Sequence, residues 1–509
     1  MTAVPSIDVR TGQVVAEVTE TSDPATVDAV CLAARAAAPS LDGLGRAGRA
    51  ALLHDLADEL AGDQAGLVAV ADRETGLGQS RLTGELTRTC YQLRFFAEVL
   101  TEGSYLEATI DPPAETPMGP RPDLRRMLVP LGPVAVFGAG NFPLAFGVPG
   151  GDTASALAAG CPVVNKAHPG HPETAIRCHD ALVRVVTRHG LPAATAGLVH
   201  GLDAGAGLVA HPAVTAVGFT GSLAGARALQ AVMAERAEPI PLYGELGSVN
   251  PVLATSGAAA ADPEGLAAGF VASFTLGTGQ FCTKPGVLLV PTGADGDRLV
   301  AHAAELVDSG QPGTLLGAGV RDGFHQRSRR WREDPCTTVL AEGRFPDGPG
   351  FQAAPLLFGV DAGELSDTLL AECFGPAAII ARYADPDQAV DAIRRLGGQL
   401  TVTIRAAADE AELTARLAGV LRAAAGRLLF DGFPTGVAVS WAQQHGGPFP
   451  ATTAVGHTSV GAASIRRWLR PVTYQSAPAA VLPVELRDGN PAGIPRRVDG
   501  RWETVGEAD

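Results

Sequence analysis

The chain has 509 residues, of which 46% are hydrophobic and 18% charged, a composition that excludes intrinsic disorder and exceeds what one hydrophobic core usually serves. It carries 54 acidic and 39 basic residues, a formal charge of −15, which argues against general nucleic-acid or anionic-membrane partners and leaves any anionic ligand to a local site. Seven cysteines lie scattered with no close pair, which is neither a disulfide framework nor a zinc motif. No basic leader precedes an apolar run, and no run of about 18 apolar residues occurs, so no membrane span and a cytoplasmic setting are expected.

In chain order, the first hundred residues read as helical. Leu52, Leu53, Leu56, Leu60 and Leu67 recur at helical spacing, as do Leu86, Leu93, Phe96 and Leu100. No full first strand is expected before them. A Pro-rich stretch from Asp111 to Arg125 then predicts an extended crossing segment. From Met127 to Gly244, β-rich runs at Val134–Phe137, Pro162–Asn165, Gly197–His200 and Val214–Phe219 alternate with helical runs at Ala145–Ala159, Glu173–His189 and Leu223–Arg236. A second block, Leu246 to Val439, has candidate strands at Val287–Val290, Ala377–Ala381, Leu400–Ile404 and Leu428–Phe430. Strand followed by helix, repeated, predicts an α/β fold with two doubly wound domains and a binding cleft between them. The tail from Ile465 contains one short strand candidate, Pro471–Gln475.

Lysine occurs only twice, at Lys166 and Lys284, against 37 arginines. Two lysines surviving in such a chain suggest positions where a compact point charge is needed and a planar fork will not fit. Both fall in motifs. Gly277-Thr-Gly-Gln-Phe-Cys-Thr-Lys-Pro-Gly286 sets one cysteine among small residues that let a carbonyl approach. Lys284, two residues on, is expected to favour the thiolate of Cys282. A lone buried cysteine is usually inert, and it is the Gly-Gln-x-Cys setting that singles this one out. Gly244-Glu-Leu-Gly-Ser-Val-Asn-Pro251 places Glu245 at a strand end, where an apolar pocket would raise its pKa toward that of a general base; the alternative is a turn carboxylate. Gly138-Ala-Gly-Asn-Phe-Pro-Leu144 follows a strand, and the Asn141 amide there either donates to an oxyanion or only shapes the turn.

Taken together, the ordered set Asn141, Lys166, Gly221-Ser222, Glu245, Cys282 and Glu372-Cys-Phe-Gly-Pro376 resembles the aldehyde dehydrogenase superfamily over essentially the whole chain. Gly150-Gly-Asp-Thr-Ala-Ser, Lys166-Ala-His-Pro169, Gly432-Phe-Pro-Thr-Gly436, His445-Gly-Gly-Pro-Phe-Pro-Ala451 and Ile465-Arg-Arg-Trp-Leu-Arg-Pro471 resemble, more narrowly, its 2-oxoglutarate semialdehyde (2,5-dioxopentanoate) dehydrogenase branch.

The resemblance implies a dinucleotide-binding domain from residues 1–110, 130–245 and 441–463 and a catalytic domain over 246–440. It adds a small β oligomerisation segment from 111–129 and 464–509, serving a homodimer or homotetramer. It implies that Cys282 attacks the aldehyde, that Asn141 and the Cys282 N–H meet the oxyanion, and that Glu245 activates water against a thioester. The cofactor, NADP in preference to NAD, would be held by Lys166, His168, Pro169, Gly221, Ser222, Gly225, Glu372, Phe374 and Phe142. NADP is expected because Pro169 stands where NAD-preferring relatives often carry a glutamate that repels a 2′-phosphate. Arg94 is expected either to pair with a substrate carboxylate or to form a surface salt bridge. Phe281, Phe449 and Pro450 would line the aldehyde tunnel, and His445 is read as a structural hydrogen-bonder rather than a wall residue. Rival readings are a catalytically silent relative and a coenzyme A-acylating dehydrogenase.

Overall fold

The computed structural model describes residues 2–503 and is built on three main sheets. Val134–Phe137, Val163–Lys166 and Ala196–Val199 pair in parallel on one side, and Ala216–Thr220 and Leu242–Glu245 extend the same sheet on the other. The order reverses between Val134–Phe137 and Ala216–Thr220. Chain connections depart in opposite directions there, so a crevice opens beyond the strands' C-terminal ends. The loops bearing Asn141 and Gly221-Ser222 leave from these two strands. The register pairs Phe137 with Lys166 and Thr220 with Glu245, so both Lys166 and Glu245 sit at that same end.

The second sheet has seven strands, in the order Thr338–Glu342, Leu356–Asp361, Ala377–Tyr383, Val287–Pro291, Val252–Ala254, Gln399–Arg405 and Ala425–Leu429. Its first pair is antiparallel and the others parallel. The central strands are near-continuous apolar runs because helices cover both faces. The third sheet joins Leu469–Gln475, Leu124–Pro130, Thr109–Asp111, Arg496–Val498 and Arg501–Glu503, uniting the Pro-rich crossing with the tail. Residues 504–509, the end of the expected oligomerisation segment, lie outside the described residues.

Four helices, Pro24–Gly43, Gly45–Gly62, Gln64–Thr75 and Gln79–Glu102, form the expected helical start. Two expectations need correction. The chain opens with a hairpin, Ala3–Asp8 against Gln13–Glu20, whose mixed polar and half-exposed pattern offers no apolar run to recognise. The helix expected over Ala145–Ala159 begins only at Gly151. Glu85, from Gln79–Glu102, takes the N–H groups of Leu144 (2.8 Å) and Ala145 (3.0 Å), and Gln92 donates to the Ala145 carbonyl. Those contacts hold the segment as an irregular loop. Among the described residues no helix is long and apolar enough to cross a membrane.

The C-terminal segment is locked to the first sheet's helix layer. Arg467, only 2% exposed at its side chain, pairs with Asp152 at 2.6 Å, and Trp468 donates its indole N–H to Ser155 Oγ at 2.8 Å. Removing one partner of a buried ion pair strands the other charge, at a cost of about 3–5 kcal/mol. Asp152→Ala is therefore expected to lower the thermal unfolding midpoint clearly, and an unchanged midpoint would show that this pair does not hold the tail.

Candidate active site

The loop carrying Cys282 owes its shape to glycines and to two buried amides. Gly277, Thr278 and Gly279 all have left-handed backbone, with φ of 55°, 57° and 66°. A Cβ on Gly279 would lie 2.1 Å from the Gly375 carbonyl oxygen, so only glycine lets the cysteine loop meet the Glu372–Pro376 segment. Gln280, fully buried, donates to the carbonyls of Gly277 and Thr314 and accepts from Leu316 N–H, tying the loop to the groove wall. Asn250 donates to the carbonyls of Cys282 (2.8 Å) and Lys284 (2.9 Å), and Gln399 Oε1 in turn accepts from the backbone of Val249 and Asn250. Three of these anchors, Asn250, Gln280 and Gln399, went unread in the sequence as positioning groups. Asn250 lay inside a quoted motif, whereas nothing marked Gln399.

The structure brings together Cys282, Glu245 and Asn141 at the inner end of a groove of about 720 Å3, which they line with Gly221, Ser222, His168, Glu372 and Phe374. Asn141 donates one amide N–H to the Gln280 carbonyl at 2.9 Å, which fixes the amide and leaves its second N–H for a ligand. Arg81 braces the same residue by donating to its carbonyl at 2.7 Å.

A fourth side chain joins them. His445, 1% exposed, places Nε2 2.8 Å from Glu245 Oε1 and 3.5 Å from Cys282 Sγ, and the three reactive atoms lie within 4.8 Å of one another. Its Nδ1 is buried without a partner. Ser459 donates to the second oxygen of Glu245, and Thr452 forms a backbone bridge to it. The sequence reading of His445 as merely structural is thus overturned: the segment 445–459 folds back over the strand end and delivers His445 and Ser459 into the site.

The electrostatics also depart from expectation. Burial opposes ionisation of Glu245, but the charge and hydrogen bonds of His445, with Ser459 and Cys282, outweigh it, and the carboxyl falls below its usual range rather than rising. Burial pushes the Cys282 thiol well above its usual value, and the Glu245 carboxylate, accepting its proton, pushes it further. Lys284 does not favour the thiolate. Its buried ammonium donates to the carbonyls of Cys373 and Ala377, each at 2.7 Å, and clamps the cysteine loop to the second motif. A point charge fits between two carbonyls where a guanidinium would not.

Around the groove, Ser222 caps the helix Leu223–Ala234 by accepting the Gly225 N–H at 3.1 Å, so the Gly225 amide is already engaged. Glu372 is pushed up to about 7, chiefly by burial. His168 links the groove to a second cavity of about 250 Å3 that also contains Lys166, Pro169 and His200 and, among the described residues, no carboxylate. Lys166 is 9% exposed, and burial pulls its ammonium down to about 8. A Cβ on Gly140 would lie 2.6 Å from the His168 ring, and one on Gly247 2.1 Å from Glu372, so both glycines keep the groove open.

Of the two readings of Arg94, the surface salt bridge is the one present, and Phe142 lies outside the groove lining. Arg94 lies on the outer surface, paired with Asp58 at 2.6 Å, because that turn of its helix faces solvent. Phe142 does not line the cofactor groove. It packs edge-on against Phe281 and Phe146, each at 5.4 Å between ring centroids, under the Arg81 guanidinium. Phe449 is 57% exposed, with its carbonyl taking the Gly398 N–H and the Pro450 ring against Gly397, so this pair packs on the Gly397-Gly398 turn.

The family model for the aldehyde dehydrogenase family matches residues 2–404. The chain is 45% identical to alpha-ketoglutaric semialdehyde dehydrogenase 2 of Azospirillum brasilense, over 94% of this chain and 92% of that one. It is 43% identical to alpha-ketoglutaric semialdehyde dehydrogenase of Acinetobacter baylyi, over 89% and 86%. The fold matches a Burkholderia cenocepacia crystal structure at TM-score 0.80 and 22% identity, over 93% of this chain and 97% of that one. It also matches a Bacillus cereus aldehyde dehydrogenase solved as its NAD+ complex, at TM-score 0.79 and 19% identity, over 93% and 92%. The chain belongs to the aldehyde dehydrogenase family.

Proposed function

We propose that this chain oxidises a semialdehyde of the 2-oxoglutarate type to the free acid through a thioester on Cys282, using NADP in preference to NAD. The observation that carries the reading is the meeting of the Cys282 thiol, the Glu245 carboxylate and His445 Nε2 beside a groove of about 720 Å3.

Opposed pKa shifts set the resting state as thiol and carboxylate. As sulfur bonds to the aldehyde carbon, its proton passes to the carboxylate–imidazole pair beside it. The new oxyanion takes the free N–H of Asn141 and the Cys282 backbone N–H. A nicotinamide held beside Glu372 and Phe374 would supply the hydride acceptor for that carbon, which would leave a thioester on Cys282. The thiol proton is released from the pair to solvent before hydrolysis. Glu245, ionised again beside His445 and Ser459, then draws a proton from the attacking water and returns it to the departing sulfur, so that the acid leaves as the thiol re-forms. A glutamate at this position favours hydrolysis over transfer to coenzyme A, by resemblance to hydrolytic members. Gly221, Ser222, Glu372 and Phe374 border the space for the dinucleotide. The carboxylate-free cavity at Lys166 suits a 2′-phosphate. A homodimer or homotetramer built on the third sheet belongs to the same reading.

Three outcomes are expected. Asn141→Ala should lower kcat about 10²–10³-fold while hydride production stays measurable, and a change below threefold would remove it from the oxyanion site. Wild type should show a higher kcat/KM with NADP+ than with NAD+, with Lys166→Ala erasing the difference; a clear NAD+ preference would contradict the cofactor assignment. Alkylation of Cys282 by iodoacetamide should be slow at pH 7 and rise steeply into the alkaline range. Glu245→Gln should shift that rise to lower pH by removing the neighbouring charge, and an unshifted profile would show that Glu245 does not hold the thiol protonated.

A further inference from the structure

On the side of Cys282 away from the dinucleotide groove lies an unbalanced set of guanidinium donors. The helix Gln79–Glu102 carries Arg81 and Arg88 seven residues, or two turns, apart on one face. Arg81 stacks over Phe281 (4.7 Å) and Phe142 (4.9 Å), and Arg88 lies over Phe146 at 5.6 Å, so the two follow one aromatic strip that starts next to Cys282. Arg427, from the second sheet, is tethered to the same loop as Arg88. Arg88 Nη1 donates to the Val437 carbonyl, and Arg427 Nη2 donates to Pro434 and Gly436, both at 3.1 Å. The loop they share reaches the nucleophile's neighbour, because Gly436 N–H points to Thr283 Oγ1 at 3.4 Å.

What these arginines leave unused is informative. Arg88 Nε and Nη2, and Arg427 Nε, are buried with no hydrogen-bond partner. Nε and Nη2 form the side-on edge of a guanidinium, the fork that takes both oxygens of a carboxylate. Arg88 is thus tethered by its third nitrogen while its carboxylate-binding edge stays free. A buried donor without an acceptor keeps its full desolvation penalty, so each of these nitrogens calls for a partner from outside the chain. Glu85, one turn before Arg88, forms no ion pair with it; its Oε1 is occupied by Leu144 and Ala145 N–H. Burial draws the Arg88 guanidinium down, and the nearby charges of Glu85 and Glu245 oppose this; burial likewise draws Arg427 down.

We propose that the Arg88 fork, assisted by Arg427 Nε, receives the carboxylate at the far end of the substrate, so that the enzyme selects aldehydes of short carboxylic acids over neutral aldehydes of equal length. This rests on the oxidative reading above and assigns its specificity to one arginine from the Gln79–Glu102 helix and one from the second sheet, with the Phe142–Phe281 strip as the apolar wall between carboxylate and aldehyde. Arg81 is a wall residue here, since it is committed to the Asn141 carbonyl.

The test compares 5-oxopentanoate with pentanal, which share a chain length and differ in the terminal charge. Wild type is expected to favour 5-oxopentanoate in kcat/KM by at least ~100-fold, and Arg88→Gln and Arg427→Gln each to cut that ratio by ~10-fold or more, as loss of a hydrogen bond to a charged group does. A wild-type ratio near one, or ratios unchanged in both variants, would overturn the assignment. Protection of wild-type Cys282 from iodoacetamide provides a second readout that needs neither turnover nor a variant. Pentanoate should protect at roughly tenfold lower concentration than pentanamide, again as expected for a charge-assisted hydrogen bond, and equal protection would overturn the proposal. If neither aldehyde is oxidised, the oxidative reading fails and the protection assay still decides the carboxylate site.

Discussion

The active-site geometry depends on one compact contact: a half-buried thiol, an ionised carboxylate and an imidazole nitrogen packed within 4.8 Å. Glu245 is burdened by burial yet stays ionised, because His445 and Ser459 supply the hydrogen bonds that water would otherwise give. That same negative charge keeps Cys282 protonated. The nucleophile is therefore not a standing thiolate. Its proton has a ready acceptor beside it, which lets the free enzyme hold an unreactive sulfur and release the proton only as a carbonyl carbon bonds to it. His445 serves both neighbours through a single nitrogen, so the state of one is felt by the other.

The rest of the fold serves to hold these atoms still. The Gln79–Glu102 helix belongs to neither large sheet, yet Arg81, Glu85 and Gln92 pin the loop that presents Asn141. Asn250, Gln280 and Lys284 fasten the cysteine loop to backbone carbonyls from three directions. The segment 445–459 closes the strand end of Glu245. Most of these contacts cross between parts of the chain far apart in sequence, and the glycine at 279 allows the two motifs to touch. A site assembled in this way is preorganised, with little reorganisation left when charge develops.

Much of this was legible in the sequence and some was not, for reasons that differ by residue. The alternating Val- and Ala-rich runs marked the parallel sheets because buried parallel strands are continuously apolar. Leu242–Glu245 and Val252–Ala254 were too short to show any period. Asn141, Glu245 and Cys282 stood out because each sits in a glycine-rich turn at a strand or helix end. His445 and Ser459 did not, since their contacts span 163 and 214 positions and no local pattern encodes a pairing of that length. Lys284 stood out by its rarity, but its role lies elsewhere than beside the thiol, since a charge two residues away in sequence can point away in space. Arg94, open in the sequence between a substrate partner and a surface ion pair, forms the ion pair, because periodicity reveals an amphipathic helix without saying which neighbour each face meets.

The most direct measurement is rapid chemical quench of the enzyme with NADP+ and a semialdehyde, followed by mass analysis of the peptide that contains Cys282. A covalent acyl adduct on that sulfur, formed at the rate of reduced-cofactor production and accumulating when Glu245 is replaced by Gln, is the result this account requires. Reduced cofactor produced with no adduct at Cys282, or by a Cys282→Ala variant at the wild-type rate, would contradict it.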